Sequence, residues 1–207
     1  MALDAKETRR FISVLGSAGD FRETVPEGTS GAKYREYETS DKKTGSKWEM
    51  VYRSISGKIV DINLHDGDYG TNLQVTFKLE DDEVTASLGT NSPFGEDVMK
   101  KLPAVDLEQE VRFTPYSFTD EQGKNRRGMT IEQGGGKLSS FFYDAETKES
   151  KHGIPQPKGK TETYTKEKWS LYFATVRDFL VDYTTENIIP RYGHTVDTSV
   201  VKDKEDF

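Results

Sequence analysis

Residues 57–79 read GKIVDINLHDGDYGTNLQVTFKL. The second half alternates without a break, with Leu73, Val75, Phe77 and Leu79 on one side and Asn72, Gln74, Thr76 and Lys78 on the other. Period-two alternation marks a strand with one buried face. The first half, Gly57 to Leu64, reads as a strand with Val60, Ile62 and Leu64 on one face. Between the two lies His65-Asp66-Gly67-Asp68-Tyr69-Gly70, which has the Gly and Asp content of a turn. The stretch predicts a hairpin, and the rest of the fold is read outward from it.

Downstream, an acidic turn (Glu80 to Glu83) leads into Val84, Ala86 and Leu88, a third short strand. The period then becomes helical. Ser92 can cap a helix, Pro93 suits its first position, and Glu96 and Asp97 suit its positive end. Phe94, Val98 and Leu102 share a face of that helix, and Pro103 stops it. Val111 to Phe118 is extended again. A turn spans Thr119 to Asn125, and Arg127 to Gln133 returns. Gly134 to Gly136 breaks the strand, and Lys137 to Tyr143 adds an apolar stretch. Three strands, a helix and two strands is the order of a mainly β, five-stranded OB-fold-like barrel, with the short helix between strands three and four.

Upstream, Tyr34 to Thr39 and Ser46 to Ile55 form a hairpin pattern, with Trp48, Met50 and Tyr52 on one side. The expected organisation is an irregular N-terminal arm over 1–32, the OB-fold domain with its N-terminal hairpin extension over 33–143, and a polar linker over 144–164. A C-terminal amphipathic helix over 165–190 and a flexible acidic tail over 191–207 complete it. The helix carries Trp169, Tyr172, Phe173, Val176, Phe179, Leu180 and Tyr183 at three-and-four spacing. That stripe predicts packing on the barrel or on a second subunit.

Composition narrows the chemistry. The chain has 207 residues, 33% of them hydrophobic, and 31% charged. Aliphatics are sparse, but 10 Tyr, 11 Phe and 2 Trp are present, which favours some surface aromatics. With no cysteine, disulfides, thiolate metal sites and Cys nucleophiles are excluded. No stretch approaches the roughly 18 apolar residues of a membrane span, and no signal-peptide pattern opens the chain, so an intracellular location is expected. The net charge of -7 argues against nucleic acid, yet the acid excess sits in residues 54–143 at turns and a helix start. A local basic face is compatible with it.

Catalytic patterns are nearly absent. His65, His152 and His194 are scattered. His65-Asp66-Gly67-Asp68 is better explained as a turn than as a cation site, so no metal is expected. Gly134-Gly135-Gly136-Lys137 fails the phosphate-loop pattern, because Ile131 replaces its first Gly and Leu138 its Ser or Thr. No Gly-x-Ser-x-Gly elbow occurs. The reading is therefore of a non-enzyme without a cofactor.

Binding features are richer. A single-strand binder needs cations for phosphates and exposed aromatic faces for bases, and both work on any sequence. If Val111 and Phe113 enter the core, Arg112, Tyr116 and Phe118 face outward unless Pro115 resets the register, and the turn after them supplies Lys124, Arg126 and Arg127. Trp48, Tyr52, Tyr69 and Lys78 are secondary candidates for the same surface, although Trp48 and Tyr52 could equally pack the N-terminal hairpin on the barrel.

The arrangement of KYREYE (33–38), SKWEMVYRSISGKIVDINLHDGDYG (46–70), FGEDVMKKLPAVDL (94–107), VRFTPYSF (111–118) and HGIPQP (152–157) resembles the OB-fold single-stranded-DNA-binding proteins of tailed bacteriophages. The resemblance covers residues 33–190. The ending, Asp203-Lys204-Glu205-Asp206-Phe207, is similar to the acidic, Phe-ended tip of those families. The resemblance implies sequence-independent coating of single-stranded DNA in phage replication, recombination and repair, within the host cytoplasm. It also implies recruitment of replication and recombination enzymes by Asp203, Glu205, Asp206 and Phe207. Lys202 and Lys204 dilute the tip's charge, so recruitment is a better expectation than competition for the groove. Two alternatives stand beside this reading: a phage structural or adaptor protein using the barrel for protein contacts, and an RNA-binding OB module.

Overall fold

The computed structural model describes residues 10–14, 18–38, 42–68, 70–80 and 82–192. Among the described residues the chain is mainly β, with ten strands and two α-helices: β1 (Arg10–Val14), β2 (Phe21–Val25), β3 (Lys33–Glu38), β4 (Thr44–Tyr52), β5 (Ile55–Gly67), β6 (Gly70–Lys78), β7 (Glu83–Gly89), α1 (Pro93–Lys101), β8 (Val111–Thr119), β9 (Asn125–Gln133), β10 (Gly136–Lys137) and α2 (Lys166–Asn187). The strands form one mixed sheet in the order β10-β9-β8-β5-β6-β7-β1-β2-β4-β3. This corrects the expected five-stranded barrel: the sheet is open, and it is twice as wide.

The reason lies at two edges. In a closed five-stranded arrangement the last strand would reach the third. Here the outer edge of β7 is taken by β1, which pairs with it in parallel from Arg10↔Val84 to Ser13↔Ser87. β2, β4 and β3 then extend the sheet by antiparallel pairing. Arg10–Val14 and Phe21–Val25 are thus strands inside the region read as an irregular arm. Ile12 and Phe21 are buried in the core, each a gain of roughly 1.5–3 kcal/mol. Arg10 fastens the arm: it donates to both carboxylate oxygens of Glu23 at 2.8 and 2.7 Å and to Asp82 at 2.9 Å.

At the other end, β10 meets β9 only at Gly136↔Gln133 and Lys137↔Glu132. Farther along β9, α1 stands in for a strand. Met129 N–H donates to Asp97 Oδ2 at 2.8 Å, and Lys101 Nζ donates to the Met129 carbonyl at 2.6 Å. The Asp97–Lys101 ion pair, 2.9 Å long, joins the two clamps. α1 itself begins as the sequence suggests, with Ser92 Oγ accepting Gly95 N–H at 3.1 Å, and it buries Phe94, Val98 and Met99.

A bulge alters the first strand of the opening hairpin. The β5–β6 register shifts between Ile59 and Asp61, so Ile59 enters the core and Val60 is 38% exposed. The expectation that Val60 faces inward with Ile62 fails for that reason.

α2 starts with Thr165 as its cap and buries Val176, Leu180 and Thr184. Phe179 and Tyr183 pack with Phe142, at ring-centroid separations of 5.6 and 4.9 Å. Only the second half of the aromatic stripe is used this way. Trp169 stacks on Phe173, and Phe173 and Leu171 stay exposed, Leu171 by 70%. No helix among the described residues is long and apolar enough to cross a membrane.

Candidate functional site

The β8–β9 hairpin has two dissimilar faces. Val111, Phe113 and Pro115 are buried, with Met129 and Ile131 of β9 opposite the last two. Strand parity therefore sends Arg112, Thr114, Tyr116 and Phe118 to the outer face. Pro115 does not reset the register, since pairing runs unbroken from Val111↔Gln133 to Thr119↔Asn125. Proline is tolerated here because β5 pairs with β8 only over Val111–Phe113, so no partner strand needs an N–H at 115.

On the outer face, Phe118 is 56% exposed and stands directly opposite Arg126. Tyr116 lies two residues along, its ring centroid 5.9 Å from that of Phe118. Tyr116, Phe118, Asp120, Arg126 and Thr130 line an open groove of about 550 Å³. Gly128 opposes Tyr116, and a Cβ there would meet the phenol and, at 2.6 Å, Asp97 Oδ2. The missing side chain is what lets the Tyr116 ring lie across β9. Burial, and then the charge of Asp97, push the Tyr116 phenol up, so it stays a neutral donor.

Asp120 folds the hairpin tip and places Arg126. Its Oδ1 accepts the N–H groups of Gln122 and Lys124 at 3.0 and 2.8 Å, and its Oδ2 accepts from Arg126 Nε at 2.8 Å. The Lys124 N–H and the Arg126 guanidinium hold the Asp120 carboxyl below the usual carboxylate range. Arg126 is thereby oriented beside Phe118 and paired with the Asp120 carboxylate.

The other residues expected at a binding face distribute as follows. Arg112 lies on the same outer face toward the far end of β8, donating to Ser56 Oγ at 3.0 Å. Lys124 is exposed in the tip. Arg127 pairs with Ser117 and points to the opposite face from Phe118. Lys78 ends β6 opposite Lys58, with Glu83 3.7 Å away. Trp48 packs edge-on against Tyr34 at 5.6 Å in the β3–β4 hairpin, with five strands between β4 and β8 in the sheet order. Tyr52 belongs to an internal network, donating to Glu23 at 2.8 Å and accepting from Arg10 at 3.1 Å. Tyr69 and the tail residues Asp203, Glu205, Asp206 and Phe207 lie outside the described residues. The structure thus gathers Tyr116, Phe118 and Arg126, keeps Arg112 on the same face and Lys124 at the adjoining tip, and separates Arg127, Lys78, Trp48 and Tyr52 from them.

Sequence reading missed Asp120, Gly128 and Thr130. The Asp120-Glu-Gln-Gly123 run carries a turn signature that could have flagged the first. Gly128 has no local signal, because its role depends on a ring from the neighbouring strand. Among the described residues, no group of three or more His, Asp or Glu is placed to hold a metal ion. Comparison with family models, with curated proteins and with solved structures finds no match to the chain.

Proposed function

We propose that the protein binds single-stranded DNA without sequence preference, using the outer face of β8–β9. The observation that carries this is the half-exposed Phe118 opposite Arg126, with Tyr116 beside it. Bases stack on the two rings, each stack contributing roughly 1–3 kcal/mol, while Arg126 and Arg112 face the phosphates. Neither interaction reads base identity. The proposal does not depend on a closed barrel. An open sheet presents the same strand face, and equilibrium binding requires no catalytic group.

In this reading the protein is phage-encoded, acts in the host cytoplasm, and coats single strands during replication, recombination and repair. Asp203, Glu205, Asp206 and Phe207 recruit the enzymes of those processes. A terminal Phe offers an apolar anchor and a free carboxylate to a basic-rimmed pocket. A second reading, a protein adaptor, is favoured by the exposed Leu171 and Phe173 on α2.

Titrating the protein with a fluorescent dT oligonucleotide of about 30 nucleotides separates the two. Tight, salt-weakened binding, poorly competed by duplex, is expected. Absence of binding at low salt would leave the adaptor. Competition by the matching RNA measures the sugar preference.

A further inference from the structure

The opposite half of the sheet carries a second cationic surface. On β4, Lys47, Glu49 and Val51 share a face. Register places Lys33 opposite Glu49, Arg35 opposite Lys47, Tyr37 opposite Gly45, and Arg22 opposite Val51. Ser13 pairs with Arg22, which puts Phe11 of β1, half-exposed, on the same face. Four cations therefore share a face of these strands on which, among the described residues, Glu49 is the only acid, itself 1% exposed.

Glu49 is saturated. Arg22 Nη1 reaches it at 2.9 Å, Arg35 Nε and Nη2 at 2.8 and 2.9 Å, and Lys47 Nζ at 2.9 Å. One arginine suffices to neutralise a buried carboxylate, so the others leave a surplus of positive charge at the surface. Arg22 Nε is buried there without a hydrogen-bond partner. The carboxylates Glu36 and Glu38 alternate with these cations along β3 and so sit on the reverse face. At the sheet edge Glu36 and Glu38 line an open groove with Tyr37 and Gly45.

Aromatics interleave with the cations. Tyr37 lies over Gly45, whose absent Cβ would stand 2.7 Å from the ring. Arg35 and Lys47 each sit 5.6 Å from the Tyr37 ring centroid. That is cation–π distance, and it fixes the ring with much of its surface open.

We propose that this face of β1–β4 is a second binding surface for the phosphodiester backbone of a single strand, with Lys33, Arg35, Lys47 and Arg22 on phosphates and Tyr37 and Phe11 as base platforms. It extends the strand-binding reading given for β8–β9 and rests on it. The ligand chemistry, closely spaced phosphates, is shared with inorganic polyphosphate, and the two rings distinguish the sources.

The test uses the full chain and a fluorescent dT oligonucleotide of about 30 nucleotides, titrated over a salt series. Each lost phosphate contact should flatten the slope of log K against log salt by about 0.7. Lys33→Gln with Lys47→Gln should lower that slope by about 1.4 and weaken binding at low salt, while Lys47→Arg keeps the wild-type slope. Tyr37→Ala should weaken the oligonucleotide at least fivefold with the slope unchanged, and leave competition by polyphosphate as in the wild type. Wild-type affinity and slope in the double lysine variant would overturn the inference. So would a Tyr37→Ala variant that holds dT as tightly as the wild type, since the face would then serve free polyphosphate. If the wild-type chain does not bind dT at all, this inference and the proposed function fall together. If it binds and only the lysine variants are silent, this one alone falls.

Discussion

Phe118 and Arg126 face each other across β8 and β9, and the residue that orients the arginine, Asp120, lies two positions beyond Phe118 at the hairpin tip. A stacking ring and a tethered cation are thereby held on rigid strands rather than on a loop. Phe118→Ala should weaken single-strand binding by roughly 5- to 150-fold, the range of one lost base stack. Its thermal unfolding should stay close to wild type, because an exposed ring adds little to the core. A titration paired with a melting curve checks both.

Arg126 and Arg127 are neighbours in sequence on opposite faces of β9. Arg126→Ala should flatten the salt dependence of oligonucleotide binding by about 0.7 in slope. Arg127→Ala should leave slope and affinity unchanged. Equal effects from the two variants would mean that the tip acts as a diffuse charge and not as a built face.

Asp97 and Lys101 hold the N–H and C=O of Met129 where a strand would otherwise sit. Asp97→Ala leaves that N–H without its acceptor and should cost about 1–3 kcal/mol. Hydrogen exchange at the Met129 amide should accelerate strongly, with little change in β6 or β7. Uniform acceleration across the sheet would show that the edge clamp is not local.

Glu49 gives a pH signature. Hydrogen bonds from Arg35 first, then Lys47 and Arg22, outweigh burial and lower its carboxyl to about 2. A carboxyl depressed in the folded state stabilises the fold above its ordinary value of 4.5 and loses that contribution as pH falls toward 2. The stake is on the order of 3 kcal/mol. Urea unfolding of the wild type and of Glu49→Gln should differ by that order at pH 7 and converge near pH 2. A gap that persists at the acid end would assign the loss to packing.

Much of the central sheet was legible because its signals are local. The alternations at Leu73–Leu79, Val84–Leu88 and Val111–Phe113 put β6, β7 and β8 where they stand, and Ser92-Pro93 marked the start of α1. The outward parity of Tyr116 and Phe118 could be read from the same counting. Closure could not. Whether β7 meets the last strand or another depends on Arg10–Val14, five residues whose partner lies more than seventy positions away. A short segment such as RFISV carries no periodicity strong enough to announce a parallel pairing. The bulge at Val60 is equally silent, since an apolar residue at a register shift looks like any core residue. The sequence leaves Trp48 and Tyr52 open between the surface and hairpin packing, and polar partners that only the fold assembles, Glu23 and Arg10, draw Tyr52 inward.

The most direct test of the central claim asks which side chains touch the bases. The protein is mixed with an oligonucleotide carrying 5-iodouracil, irradiated, and the adducts are located by mass spectrometry. Stacking on the β8–β9 face predicts adducts at Tyr116 and Phe118 that disappear when unlabelled dT is in excess. Adducts confined to other residues, with Tyr116 and Phe118 unmodified at saturation, would contradict it.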